Sequence, residues 1–155
     1  MRVLLALDNS KSSQAALRSI PAEMRTKGIQ VRILHVVEEI LTYISSEMMP
    51  HFVRQAADIE EERRKEARQL VRRAAVALRK SGFEVSEAVD SGDPKEKILD
   101  HAARWHADLI ILGSHGFRGL SRFLMGSVSE AVARHARCSV QIVRIQPARK
   151  RKARR

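Results

Sequence analysis

Two glycine-bearing turns, nine residues apart, are the part of this sequence best equipped for chemistry. Gly113-Ser114-His115-Gly116 and Gly126-Ser127-Val128-Ser129 lie between a strongly apolar run and a segment of helical pattern. Such a segment can form an anion cradle. Glycine lets a backbone approach a ligand closely and adopt positive φ, while Ser127 and Ser129 offer hydroxyl and amide donors at a helix N-terminus, where the macrodipole favours phosphate. The same residues also suit a plain loop with a serine cap, so spacing alone leaves both readings open.

Two other phosphate-binding patterns are absent. The first apolar run is followed by Asp8-Asn9-Ser10, without the G-x-G-x-x-G of dinucleotide folds, and no G-x-x-x-x-G-K-[ST] segment occurs. A catalytic set does not assemble either. His35 stands in an apolar strand and reads as a hydrogen-bonded core histidine. His101, His106 and His135 fall on charged helix faces, and no His, Cys, Asp or Glu spacing suggests a metal cage. Ser10 fits a helix cap better than a nucleophile, and no general base is placed near Ser127.

The elements that must position the cradle follow from the apolar pattern. Five apolar segments alternate with helical ones, which predicts βαβ units and a parallel sheet covered on both faces. Strands are expected over 2–7, 29–37, 83–89, 107–112 and 139–145. The first helix follows the polar loop Asp8-Asn9-Ser10-Lys11-Ser12-Ser13, which holds several possible N-cap residues, with Ala16, Ile20 and Met24 at helical spacing; Pro21 should kink or interrupt it near its middle, and Gly28 is placed to end it. A long surface helix over 55–80 shows a thin stripe of Ile59, Leu70, Ala74, Ala77 and Leu78. Asp93 can cap, and Pro94 can start, a third helix running to about His106 with Ile98, Leu99, Ala102, Ala103 and Trp105 inward. The last helix spans about 127–135. The mixed apolar segment 40–52 fits either a flap or a helix start.

The 155 residues suit one domain of 1–146 followed by a basic tail, 147–155. There are 29 Lys+Arg against 18 Asp+Glu, a net charge of +11, of which +6 falls in the last seven positions. A like-charge block without apolar residues reads as a solvated, disordered tail, or as a nonspecific contact for RNA, DNA or an acidic lipid surface. With one cysteine, Cys138, no intrachain disulfide is possible. No apolar run approaches the ~20 residues of a membrane span, and no secretory leader is recognisable, so the expected location is the cytoplasm.

The sequence resembles the universal stress proteins, whose ATP-binding members carry G-x-x-G, nine residues, then G-[ST]. Here these are Gly113, Gly116, Gly126 and Ser127. The resemblance extends over residues 2–145 and includes Asp8, Leu34-His35-Val36-Val37-Glu38 and Gly92-Asp93-Pro94. It implies an adenine nucleotide α-hydrolase-like α/β fold, a five-stranded parallel sheet of order 3-2-1-4-5 with helices on both faces. ATP, with Mg²⁺, would bind at the carboxyl ends of strands one and four. Carried over to this chain, Gly113, Gly116, Gly126, Ser127 and Val128 would hold the phosphates and ribose, with Ser129 adding a hydroxyl. Asp8 would face the ribose or the metal, unless it is only a helix cap. Val36 would read the adenine edge through its backbone, unless it is plain core, and Ala6 and Leu112 would line the base and sugar pocket. His115 could contact a phosphate. Arg118 and Arg122 either neutralise triphosphate charge or face solvent. The resemblance further implies a homodimer through the last strand, and a nucleotide-dependent regulatory module for stress responses with little or no hydrolysis. A slow ATPase or nucleotidyl-transfer enzyme is the alternative.

Overall fold

A computed structural model describes residues 1–38, 50–116 and 125–145. Most of segment 40–52, the cations Arg118 and Arg122, and the tail 147–155 lie outside these residues. Nine elements follow one another: β1 (Arg2–Ala6), α1 (Lys11–Glu23), β2 (Gln30–Val37), α2 (Pro50–Lys80), β3 (Glu84–Ser91), α3 (Pro94–Arg104), β4 (Leu109–Gly113), α4 (Ser127–His135) and β5 (Ser139–Val143). The strands form one parallel sheet in the order β3-β2-β1-β4-β5, as the resemblance implies.

The alternation of side chains along each strand divides the core in two. Odd-numbered residues such as Val3, Leu5, Ile33 and Ile111 pack with Ala16 and Ile20 of α1 and with Leu70, Val71 and Leu78 of α2. Even-numbered residues such as Leu4, Leu34 and Ile110 pack with Ile98 and Ala102 of α3 and Val132 of α4. Burial on both faces explains why Val3-Leu4-Leu5 and Ile110-Ile111-Leu112 are continuous apolar runs rather than alternating ones.

The helices depart from expectation in instructive ways. α1 runs straight through Pro21 and ends at Glu23, with the Met24 amide closing on the Ile20 carbonyl. Pro21 falls in the last turn, so little helix remains for its missing N–H to disrupt. Gly28 does not cap this helix; at φ +74° it makes the turn that leads into β2. α2 begins at Pro50, earlier than its periodicity indicates, and its 31 residues span roughly 46 Å, well beyond strands of five to eight residues. Its first half therefore overhangs the sheet's carboxyl edge. The stripe that meets the sheet is Ala67, Leu70, Val71, Ala74, Ala75 and Leu78, whereas Ile59 is 48% exposed and Ala77 faces solvent. α3 starts as expected, with the Asp93 carboxylate accepting from Lys95 N at 2.7 Å and Pro94 in the first helical position, but it stops at Arg104 and leaves Ala103 exposed.

One contact sets how α1 meets β4. A Cβ placed on Gly113 would lie 2.6 Å from both the carbonyl carbon of Ser12 and the amide nitrogen of Ser13. Because main chain occupies the space, no rotamer change can relieve the clash. Gly113→Ala should therefore cost on the order of 1–3 kcal/mol or more, lowering the melting temperature by several degrees. A thermal melt checks this, and an unchanged melting temperature would mean that the two backbones can separate freely.

Candidate functional site

A cleft of about 740 Å³ opens at the carboxyl edge of the sheet. It lies where the chain order reverses, between β1 and β4, the place where open α/β sheets bind ligands. Its volume suits a small-molecule ligand. One wall is apolar, made by Ala6, Leu34, Val36, Ile98, Leu112 and Val128.

β1 stops at Ala6, paired with Leu34, whereas β2 continues to Val37. In a parallel ladder the main-chain groups of successive residues point to opposite neighbours, so residues two apart point the same way. Leu34 offers its carbonyl to Leu7 N at 2.9 Å, so Val36, two residues on, turns its amide and carbonyl toward the space that β1 has vacated. They form a donor–acceptor pair at the rim of the apolar wall.

The opposite rim is the first turn of α4. Gly126 is its N-cap and supplies no side-chain hydrogen bond, and the first intrahelical acceptance is Glu130 N onto the Gly126 carbonyl at 2.9 Å. The amides of Ser127, Val128 and Ser129 thus have no intrahelical acceptor, and together with the helix dipole they form an anion-binding end. Gly126 itself is held by its amide, which donates to the Ser114 carbonyl at 2.8 Å.

α1 also directs its N-terminus here, where serine hydroxyls tie it to the β4 loop. Ser10 caps α1 by accepting from Ser13 N at 3.1 Å, and its hydroxyl donates to the His115 carbonyl at 3.1 Å. The Ser12 hydroxyl donates to the same carbonyl. Asp8 is therefore not the cap. Its Oδ1 accepts from Ser10 N at 2.9 Å, its amide donates to Ser13 Oγ at 2.8 Å, and its Oδ2 faces Gly116 across the cleft.

These geometries agree with three comparisons. A model of the universal stress protein family matches residues 1–144. The chain belongs to that family. Universal stress protein YxiE of Bacillus subtilis is 30% identical over 148 residues, covering 92% of this chain and 98% of the relative. Among solved structures, the hypothetical protein MJ0577 superposes with a TM-score of 0.83 at 26% identity, covering 95% of this chain and 97% of that one. A universal stress protein family protein from Arabidopsis thaliana with AMP bound has a TM-score of 0.68 at 20% identity, with coverages of 96% and 97%.

As a universal stress protein, the chain gathers every site residue expected from sequence around one cleft: Ala6, Asp8, Val36, Leu112, Gly113, His115, Gly116, Gly126, Ser127, Val128 and Ser129 all line it. Several do so for other reasons than expected. None of Gly113, Gly116 and Gly126 has positive φ; that conformation belongs to Gly28, Gly82 and Gly92 among the described glycines. Gly113 is small to admit α1, and at Gly126 a Cβ would sit 3.2 Å from the Ser114 carbonyl oxygen. The Ser129 hydroxyl is buried and donates to the carbonyls of Ser114 and Gly126, at 3.1 and 2.8 Å, so it braces the loop and only its amide faces a ligand. Ser114 Oγ lies 2.9 Å from His115 Nδ1, while His115 Nε2 is buried without a partner among the described residues. His35 is hydrogen-bonded as expected, its Nδ1–H donating to the Leu7 carbonyl at 2.7 Å.

Sequence reasoning missed the α2 contribution. Arg63 and Glu66 line the cleft beside Ala67 and Leu70, and Arg63 donates to the Glu38 carbonyl at 2.8 Å. Nothing in a charge-dense helix separates these two from their solvated neighbours; only the overhang of α2 does. Cys138 is half-buried, and burial, with Asp108 nearby, pushes its thiol up, which disfavours the reactive thiolate.

Asp90, the β3 residue in register with Val36, anchors this edge to α3. Burial alone would raise its carboxyl, but the Ser91 amide, the His101 ring at 3.0 Å and the Lys97 ammonium together hold it below the usual carboxylate range. A lowered carboxyl stabilises the fold above its unfolded-state pKa, and that contribution disappears as pH falls through the folded-state value. Asp90→Asn should therefore be less stable than the parent at pH 7, with the gap closing as pH drops below about 4. Urea midpoints across pH 7 to 3 check this; a gap that stays constant would mean packing, not charge, holds Asp90.

Proposed function

We propose that this universal stress protein binds ATP, with Mg²⁺, in the carboxyl-edge cleft and acts as a nucleotide-dependent regulatory module in stress responses, with little or no hydrolysis. The observation that carries the reading is the pairing of two unlike rims across one apolar wall. Val36 presents a main-chain donor and acceptor, the complement of an adenine edge, and α4 presents amides without acceptors, the complement of phosphate. AMP bound by the Arabidopsis structural neighbour supports an adenine nucleotide as the ligand. The residues present fit such a ligand: the glycines leave the cradle floor bare, and Asp8 Oδ2 is the carboxylate oxygen that would meet a phosphate-bound cation or a ribose hydroxyl. What the cleft aims inward are fixed donors that hold charge, rather than a nucleophile paired with a base. That is the chemistry of retention more than of turnover.

We also read the module as a homodimer. β5 is a sheet edge, and because the Val143 carbonyl and Ser139 amide bond toward β4, the main-chain groups of Val140 and Ile142 point outward. An open apolar edge of this kind is satisfied by a second copy of itself.

Two measurements test these readings. Ser127 is the first helical residue, and Gly126 before it has φ −66° and ψ 149°, which a following proline accepts. Ser127→Pro thus deletes one cradle amide and leaves the helix intact. In calorimetric titration of nucleotide-stripped protein with Mg·ATP, the parent should bind, Ser127→Pro should bind ~10-fold or more weakly, and Ser127→Ala should separate the hydroxyl from the amide. Equal affinity in the parent and the proline variant would remove the α4 cradle from the account. In light scattering, the parent at micromolar concentration should give twice the chain mass, and a monomer there would sink the dimer.

A further inference from the structure

The end of the molecule opposite the cleft carries a second charged feature. At the amino ends of the strands, an open cleft of about 570 Å³ is lined by Arg2, Gly28, Gln30, Gly82, Glu84 and Asp108, among others. Arg2, Glu84 and Asp108 line it; Arg25 and Lys27 flank the lining residue Thr26, Lys80 stands two residues before the lining Gly82 and Arg32 two after Gln30, with Glu23 at the end of α1. The two loops that bear Lys27 and Lys80 touch, since a Cβ on Gly82 would lie 3.3 Å from Thr26 Cγ2. All three carboxylates are engaged by neutral donors: Glu23 by the Gln141 side chain, Glu84 by the Gln30 side chain and Asp108 by the Arg2 amide. Among the described residues none of the five cations has an ion pair within 4.0 Å.

Two of these cations are crowded together. Arg32 stacks 4.4 Å from the centre of the Trp105 ring, and Arg2 donates to the Trp105 carbonyl at 3.1 Å. Burial first, and then the charge of Arg2, pull the Arg32 guanidinium below its ordinary value. Lys80 can be explained by the α2 terminus, since cations complement the negative end of a helix dipole. Arg2 likewise bonds the carbonyl of Trp105, the C-cap of α3, and Arg25 directly follows the C-cap of α1, whereas Arg32 is held by the Trp105 ring and the Ser86 hydroxyl. Five cations against three carboxylates leave this end with a net positive charge, which favours an anionic partner.

We propose that this amino-end surface binds the phosphate backbone of a nucleic acid, without reading its sequence. The Arg32–Trp105 stack and the Arg2 guanidinium form its centre, and the mobile-headed Arg25, Lys27 and Lys80 form its rim. An acidic lipid surface fits less well, because membrane attachment adds buried apolar side chains to charge, and of the large exposed apolar residues described only Met1 lies on this rim. The inference stands apart from the ATP site, which occupies the other end of every strand, and from the basic tail.

The test uses the full chain and a single-stranded oligo(dT) probe, with affinity measured from ~50 to 200 mM salt. Each phosphate neutralised contributes about 0.7 to the slope of log affinity against log salt. The triple substitution Arg25→Gln, Lys27→Gln, Lys80→Gln changes three exposed side chains, so its melting temperature and ATP titration should match the parent's, while the salt slope should fall by about 2. Substituting Lys150, Arg151 and Lys152 by Gln, as a comparator, removes the tail's share separately. A slope unchanged in the rim variant and reduced only in the tail variant would overturn the proposal, as would binding to anionic phospholipid vesicles with none to oligo(dT).

Discussion

The approach of α1 to the end of β4 is the contact on which the functional edge depends. The first turn of α1 lies so close to Gly113 that only a bare α-carbon fits, and the hydroxyls of Ser10 and Ser12 then close on the His115 carbonyl. This clamp has an electrostatic consequence. Two helix N-termini converge on the β4 loop, each carrying partial positive charge. At α1 the Ser10 oxygen caps the Ser13 amide and the Ser10 and Ser12 hydroxyls hold the His115 carbonyl, whereas the first turn of α4 has no side-chain cap.

The second determinant is strand length. β1 is short because Asp8 turns the chain into α1, its carboxylate and amide both bonded within that turn. β2 continues beside the gap, which exposes the Val36 main chain without breaking the ladder to β3. A crevice made by ending a strand exposes no unpaired buried group, since the freed donor and acceptor face the cleft. The overhanging half of α2 then supplies a third wall. Site depth thus comes from mismatched element lengths, and the apolar wall comes from the same even-numbered face that builds the α3/α4 core.

Much of this was legible in the sequence. The central strands announced themselves because burial on both faces demands unbroken apolar runs, and Asp93-Pro94 and Gly126-Ser127 marked helix starts through local chemistry alone. The gathering of the eleven site residues came from the family resemblance rather than from periodicity. What stayed hidden depends on contacts across long separations. Nothing near Gly113 tells that Ser12, about a hundred residues earlier, excludes its Cβ, so a packing glycine reads as a ligand glycine. Ser129 sits at a position where a hydroxyl can serve a ligand, yet two carbonyls of its own loop take it. Pro21 reads as a helix breaker because its distance from the helix end depends on where Met24 leaves the core. The extent of α2 was obscured because the overhanging half touches no sheet and so carries no stripe.

The chain separates two kinds of positive charge, and the separation makes physical sense. In the carboxyl-edge cleft the donors are main-chain amides, whose positions are set by the helix they belong to and which need no side-chain ordering to meet an anion; they favour one geometry. At the opposite end the cations are side chains: Arg2 and Arg32 are held at Trp105, while Arg25, Lys27 and Lys80 are exposed, which suits a repeating backbone of no fixed sequence. A basic composition alone cannot distinguish these uses, because amides do not enter the net charge at all. The +11 of the sequence is therefore silent about the amide donors of the cleft, and +6 of it belongs to the last seven residues. Here the element order decides: parallel strands place every helix N-terminus at one edge and every helix C-terminus at the other. Fixed dipoles collect at the carboxyl edge, and mobile cations are tolerated at the amino edge, where the helix dipoles present their negative ends.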